Sequence, residues 1–131
     1  MDETPRYFTL EHANAIVALI RPLVKEMLEI RQAILDRQPE VWPALERAAG
    51  NGGSKPASQV AFEFTRLDRL AREIMATGAI LKDLNTGLVD FLALRQGRQV
   101  YLCWKYGESQ IDYWHEMDGG FAGRQRVDQD S

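Results

Sequence analysis

Little in this chain points outward. It has one cysteine, Cys103, so no disulfide can form within it. It has two histidines, His12 and His115. No run approaches the ~20 apolar residues that a membrane-spanning helix needs. Basic charge is not in excess either: 16 Lys and Arg stand against 19 Asp and Glu, for a net charge of −3. A dedicated nucleic-acid binder carries a strongly basic footprint, so nucleic acid is not expected as a partner. A basic amphipathic helix of the membrane-surface kind is also missing. The opening Met1-Asp2-Glu3-Thr4-Pro5 is acidic and lacks the apolar stretch of a signal peptide. These absences lead to the expectation of a cytoplasmic protein.

What is present suits one ordinary domain. A chain of 131 residues, 45% hydrophobic and 27% charged, is too apolar to be disordered. A domain of this size buries roughly two-thirds of the surface its unfolded chain exposes. It needs no staple.

The first half has a helical rhythm. Thr9 is a good N-cap, and Glu11 sits in the first turn, where the helix dipole favours negative charge. Ile16, Ile20, Leu23, Met27, Ile30 and Ile34 alternate four and three apart, the seam of a helix packed along another. This predicts a helix from Leu10 to about Gln38, with a kink or break one turn before Pro22. A second seam runs through Val60, Phe64, Leu67, Ala71 and Ile74, from near Ser58 to a stop at Gly78. The two predict a long antiparallel helical hairpin over residues 8–78. Residues 39–58 read as its flexible loop, with a short helix from Pro43 to Ala49.

After Gly78 the period drops from helical to alternating. Ala79–Leu84 and Leu88–Leu92 read as strands around Asn85-Thr86-Gly87. Gln99–Tyr106 and Ser109–Glu116 flank Gly107-Glu108, which suits a two-residue type II′ turn. That turn sets Trp104 opposite Ile111, Leu102 opposite Tyr113 and Val100 opposite His115 on the core face. Cys103 would face Asp112, and Tyr101 would face Trp114, on the other side. A slip of one residue would invert this assignment. The expected class is therefore α+β: the helical hairpin, a small antiparallel sheet of two hairpins over 79–118, and a glycine-rich tail over 119–131 held by Phe121.

Several words of this text resemble a known family. Lys82-Asp83-Leu84-Asn85-Thr86-Gly87-Leu88-Val89-Asp90-Phe91 is one, and Val100-Tyr101-Leu102-Cys103-Trp104-Lys105 another. Trp114-His115-Glu116-Met117-Asp118-Gly119-Gly120-Phe121-Ala122-Gly123-Arg124-Gln125 is a third, and Tyr7-Phe8-Thr9-Leu10-Glu11-His12-Ala13-Asn14-Ala15 a fourth. All are similar to the domain of unknown function 2203 family of bacterial proteins. The resemblance implies a bacterial, stand-alone domain. It transfers no activity and identifies no catalytic residue.

For chemistry, the notable cluster is His115, Glu116 and Asp118, with Asp83 and Asp90 near across the sheet. Imidazole and carboxylates are suitable ligands for a divalent transition metal. Adjacent strand residues point to opposite faces, so His115 and Glu116 diverge, and His12 is the other histidine that could join. The plainer reading is a histidine hydrogen-bonded at the edge of the core. Cys103 reads as structural, because Asp112 beside it would raise its pKa and His115 falls on the other face. Tyr101 and Trp114, with Arg98 and Lys105 nearby, could form a ligand or partner surface; cross-strand packing is the plainer account. Arg124 and Arg126 in the tail could hold an anion, but no helix follows the glycines as phosphate loops require. The Asp83–Gly87 segment fails as a calcium loop, having Gly87 where an oxygen ligand belongs.

No pattern compels catalysis. The expectation is a non-enzymatic interaction or regulatory domain acting as a homodimer through its long helices. The competing expectation is a divalent-metal-binding protein, or small metal-dependent hydrolase, centred on His115.

Overall fold

The computed structural model describes residues 6–50 and 59–128. Helix α1 spans Leu10–Arg37, α2 Trp42–Ala48 and α3 Gln59–Ala76. Strands β1 (Ile80–Asp83), β2 (Leu88–Arg95), β3 (Arg98–Lys105), β4 (Tyr113–Glu116) and β5 (Gln125–Arg126) form one antiparallel sheet in chain order. The α+β class is as expected.

Helix α1 begins where its cap requires, the Thr9 hydroxyl accepting the His12 N–H at 3.0 Å. It runs continuously through Pro22, so the expected break does not occur. Val17, Ile20, Val24 and Met27 are buried on both sides of the proline, and packing holds what the missing N–H gives up. Helix α3 lies along α1, with Arg66 paired to Glu26 and Arg37 to Glu63. Most of both seams is buried inside the chain, and Ile16, Ile20, Met27, Ile34, Leu67 and Ile74 join a core shared with the sheet.

The connection between the two long helices holds the expected short helix, running Trp42–Ala48 rather than Pro43–Ala49. Residues 39–48 form a 3₁₀ turn and α2, anchored by the buried Trp42. The indole N–H of Trp42 donates to Asn85 Oδ1 at 3.0 Å, which also accepts from Arg31 Nε at 2.7 Å. One side chain from the β1–β2 turn thus ties two helices to the sheet. The expected flexible stretch at 51–58 lies outside the described residues.

At Gly78 the chain turns with φ of +99°, and a Cβ there would come 2.8 Å from the Phe8 ring. Gly78 is therefore both stop and packing contact. The sheet has more turns than expected. Gln96 and Gly97 both take positive φ, the two-residue turn that joins β2 to β3. The tail is not simply irregular, because Gln125 and Arg126 pair with β4 as a fifth strand. Phe121 is 48% exposed and does not pin it.

The largest correction is the register of β4. Leu102 lies opposite Trp114, Tyr101 opposite His115 and Cys103 opposite Tyr113, one residue away from the expected pairing. The two-residue turn is replaced by a loop over 106–112. Its bonds explain why. Trp104 Nε1 donates to the Glu108 carbonyl at 2.9 Å, Arg21 to the Ser109 carbonyl at 2.7 Å, and Ile111 N–H to Asn14 Oδ1 at 2.8 Å. Ile111 is buried from this loop, worth roughly 1.5–3 kcal/mol. Contacts to α1 thus outweigh the extra rungs of a tight hairpin. Since side chains alternate, the slip turns every β4 residue over.

The sheet therefore has two unlike faces. Val89, Phe91, Val100, Leu102, Trp104 and Trp114 are buried toward the helices. Asp90, Cys103 and His115 alternate with them and share the outer face.

Candidate metal centre

Asp90 stands in the middle of β2 between Val89 and Phe91, opposite Cys103 on β3. His115 lies one strand further, on β4. All three are almost fully enclosed: Asp90 is 2% exposed, His115 3% and Cys103 0%. Burial of ionisable groups at this level demands partners. One ligand atom from each lies within 4.8 Å of the other two.

The imidazole is held from both sides. His115 Nδ1 lies 2.7 Å from the backbone carbonyl of Glu116, and Nε2 lies 3.0 Å from Asp90 Oδ2. The Glu116 carbonyl also accepts the Gly119 N–H at 3.0 Å, so the turn over 116–119 fixes its direction. A carbonyl can only accept, hence Nδ1 carries the proton. Nε2 faces a carboxylate oxygen, which only accepts, so this contact is made either by a proton on Nε2 or by a metal ion that both atoms ligate. Asp90 Oδ1 is buried without a hydrogen-bond partner.

The Cys103 thiol is pushed up to about 12, first by burial and next by the Asp90 carboxylate, with the Arg124 guanidinium opposing. In the metal-free protein it is a protonated thiol, not a nucleophile. Both imidazole nitrogens are engaged elsewhere, so no cysteine–histidine dyad exists here.

The other expected residues scatter. Glu116 pairs through its side chain with Arg98 at 2.7 Å and contributes only its carbonyl to the site. Asp118 is exposed at the rim of a cleft of about 250 Å³ that opens onto Asp90 and His115. His12 sits on the exposed first turn of α1, its ring 4.9 Å from Phe8, which packs on the helix side of the sheet against Phe91. It cannot join the cluster. Asp83 caps the β1–β2 turn by accepting the Asn85 N–H at 2.8 Å.

The Tyr101–Trp114 surface is not assembled. Tyr101 stays on the outer face, 5.5 Å from the His115 ring, whereas Trp114 turns into the core with Arg95 over its ring. Lys105 lies over Phe121. Arg124 forms a two-bond pair with Glu108 at 2.6 and 2.8 Å and stacks on Tyr113 and Phe121. Its charge is already matched, which removes it as a free anion site. Arg126 pairs with Asp128.

Sequence reasoning names Asp90 only as a neighbour and places Cys103 on the outer face, where it stands, but it sets His115 on the core face, away from both. The signal was present: an aspartate inside Leu88-Val89-Asp90-Phe91-Leu92 interrupts an apolar strand and needs a buried partner. The profile of the family described as "Uncharacterized conserved protein (DUF2203)" matches residues 6–127, and the chain belongs to that family. No curated protein and no solved structure matches it.

Proposed function

We propose that Asp90, Cys103 and His115 bind one divalent transition-metal ion at the floor of the cleft. The observation that carries this is the convergence of three buried ligand atoms within 4.8 Å of one another. With Nδ1 held by the Glu116 carbonyl, Nε2 faces Asp90 with the thiol beside them. A proton between Nε2 and Oδ2 would satisfy those two atoms. The protonated Cys103 thiol beside Asp90 would then be a donor to the same carboxylate. A metal ion uses all three groups. Thiolate, imidazole and carboxylate together suit zinc and its close neighbours. The carbonyl that orients the imidazole is the usual outer support of a metal-bound histidine.

Three protein ligands beside an open cleft resemble the catalytic rather than the closed structural arrangement of zinc. A bound ion would supply Lewis acidity there. A small metal-dependent hydrolase is the activity this arrangement supports best. The homodimer reading rested on uncovered helical seams, and these pack within the chain, leaving isolated side chains such as Leu19 and Phe62 outside.

Protein purified without an affinity tag is expected to carry, or take up, one equivalent of zinc by elemental analysis. Cys103→Ser and Asp90→Asn are expected to lose it while keeping their circular dichroism. Wild-type protein that stays metal-free in excess zinc would leave the imidazolium–carboxylate pair as the correct account.

A further inference from the structure

The cleft above the cluster has a composition of its own. Its walls are apolar, from Leu88, Met117 and Phe121, and its rim carries one charge of each sign, Lys82 and Asp118. Lys82 extends from β1 over the outer face, its ammonium 5.3 Å from the Tyr101 ring, which in turn flanks His115. That cation–π contact places the ammonium beside the cleft without neutralising it. Neither Lys82 nor Asp118 has an ion-pair partner among the described residues. By contrast Arg98, Arg124 and Arg126, elsewhere on the sheet and tail, are all paired.

Two unpaired charges of opposite sign on an apolar-walled cleft are complementary to a ligand with the same three features. We infer that the cleft binds a small zwitterion of the amino-acid class, with its carboxylate on Lys82, its ammonium on Asp118 and an apolar side chain against Met117 and Phe121. A plain anion would meet Asp118, and a plain cation would meet Lys82; each is opposed by one of the two groups. A volume of about 250 Å³ holds a single amino acid and not a folded peptide. The inference builds on the metal reading, since the cluster forms the floor beneath this cleft.

The probes are L-phenylalanine, phenylacetate and phenethylamine, titrated into cobalt(II)-loaded protein. A thiolate-to-cobalt charge-transfer band reports the metal, and the cobalt ligand-field bands report a molecule bound above it. L-phenylalanine is expected to move the ligand-field bands and to bind about tenfold more tightly than either single-charge analogue, the scale of one charge-assisted bond. Lys82→Gln should bring L-phenylalanine to the level of phenethylamine. Asp118→Asn should bring it to that of phenylacetate. Three probes of equal affinity, no binding at all, or variants that bind like wild type would overturn the inference while leaving the metal site standing. Absence of the charge-transfer band would instead remove the metal reading. Calorimetry with the same probes on the metal-free protein then decides the zwitterion, by the same ranking.

Discussion

The two faces of the sheet are built from the same strands and do opposite work. Toward the helices, Val89, Phe91, Leu102 and Trp104 form an apolar layer whose polar atom, the Trp104 indole N–H, is met by the Glu108 carbonyl. On the outer side, one residue along each strand, Asp90, Cys103 and His115 are equally buried but polar. Burial of the first kind lowers the free energy by removing apolar surface from water. Burial of the second kind costs desolvation, and is recovered only by hydrogen bonds, a shared proton or a metal. That cost is the reason the metal site is proposed on the outer face.

This contrast can be broken from either side. Phe91→Ala, which deletes a fully buried ring from the helix face, is expected to cost about 3–5 kcal/mol in urea unfolding. That is a large share of the ~5–15 kcal/mol typical of a domain. Zinc at about a hundred times its dissociation constant should stabilise the wild type by about 2.7 kcal/mol. The same addition to Cys103→Ser should do almost nothing, which thermal melts with and without chelator would show.

A pH titration probes the outer face alone. The folded chain holds the Cys103 thiol up to about 12, against an ordinary 9.0, so the unfolded chain releases that proton first. The stabilisation is complete below pH 9.0 and is lost as the pH rises toward about 12. Chelator-treated wild type should therefore lose stability over this range more steeply than Cys103→Ala. Asn14→Ala tests the register, because it strips the Ile111 N–H of its acceptor. It should cost about 1–2 kcal/mol and weaken the cross-strand Tyr101–His115 contacts seen by NMR. Least of all, Phe62→Ser on the outside of α3, at a site 76% exposed, should change stability by less than ~0.5 kcal/mol.

Much of the fold was legible. Thr9 as cap, the alternating seams, Gly78 as stop and the change of period after it are all local, and local signals survive in a one-dimensional text. The Gln96–Gly97 turn and the β5 pairing were missed, being short and lacking the strongest turn dipeptides. The site was legible only in its anchor, His115. His12 and Glu116 were drawn toward it by chemical type, whereas the structure sets them on other surfaces. Cys103 and Asp90 replaced them because of a single-residue shift in β4.

The amino-acid pattern by itself determined the type and order of the helices and of the first four strands, since each depends on neighbours a few residues away. Only the tertiary structure decided which face His115 occupies. That choice turns on two hydrogen bonds between the 106–112 loop and a helix some ninety positions earlier, one accepted by Asn14 and one donated by Arg21. No strand period encodes them, and with a period of two, one residue of slip exchanges core for site.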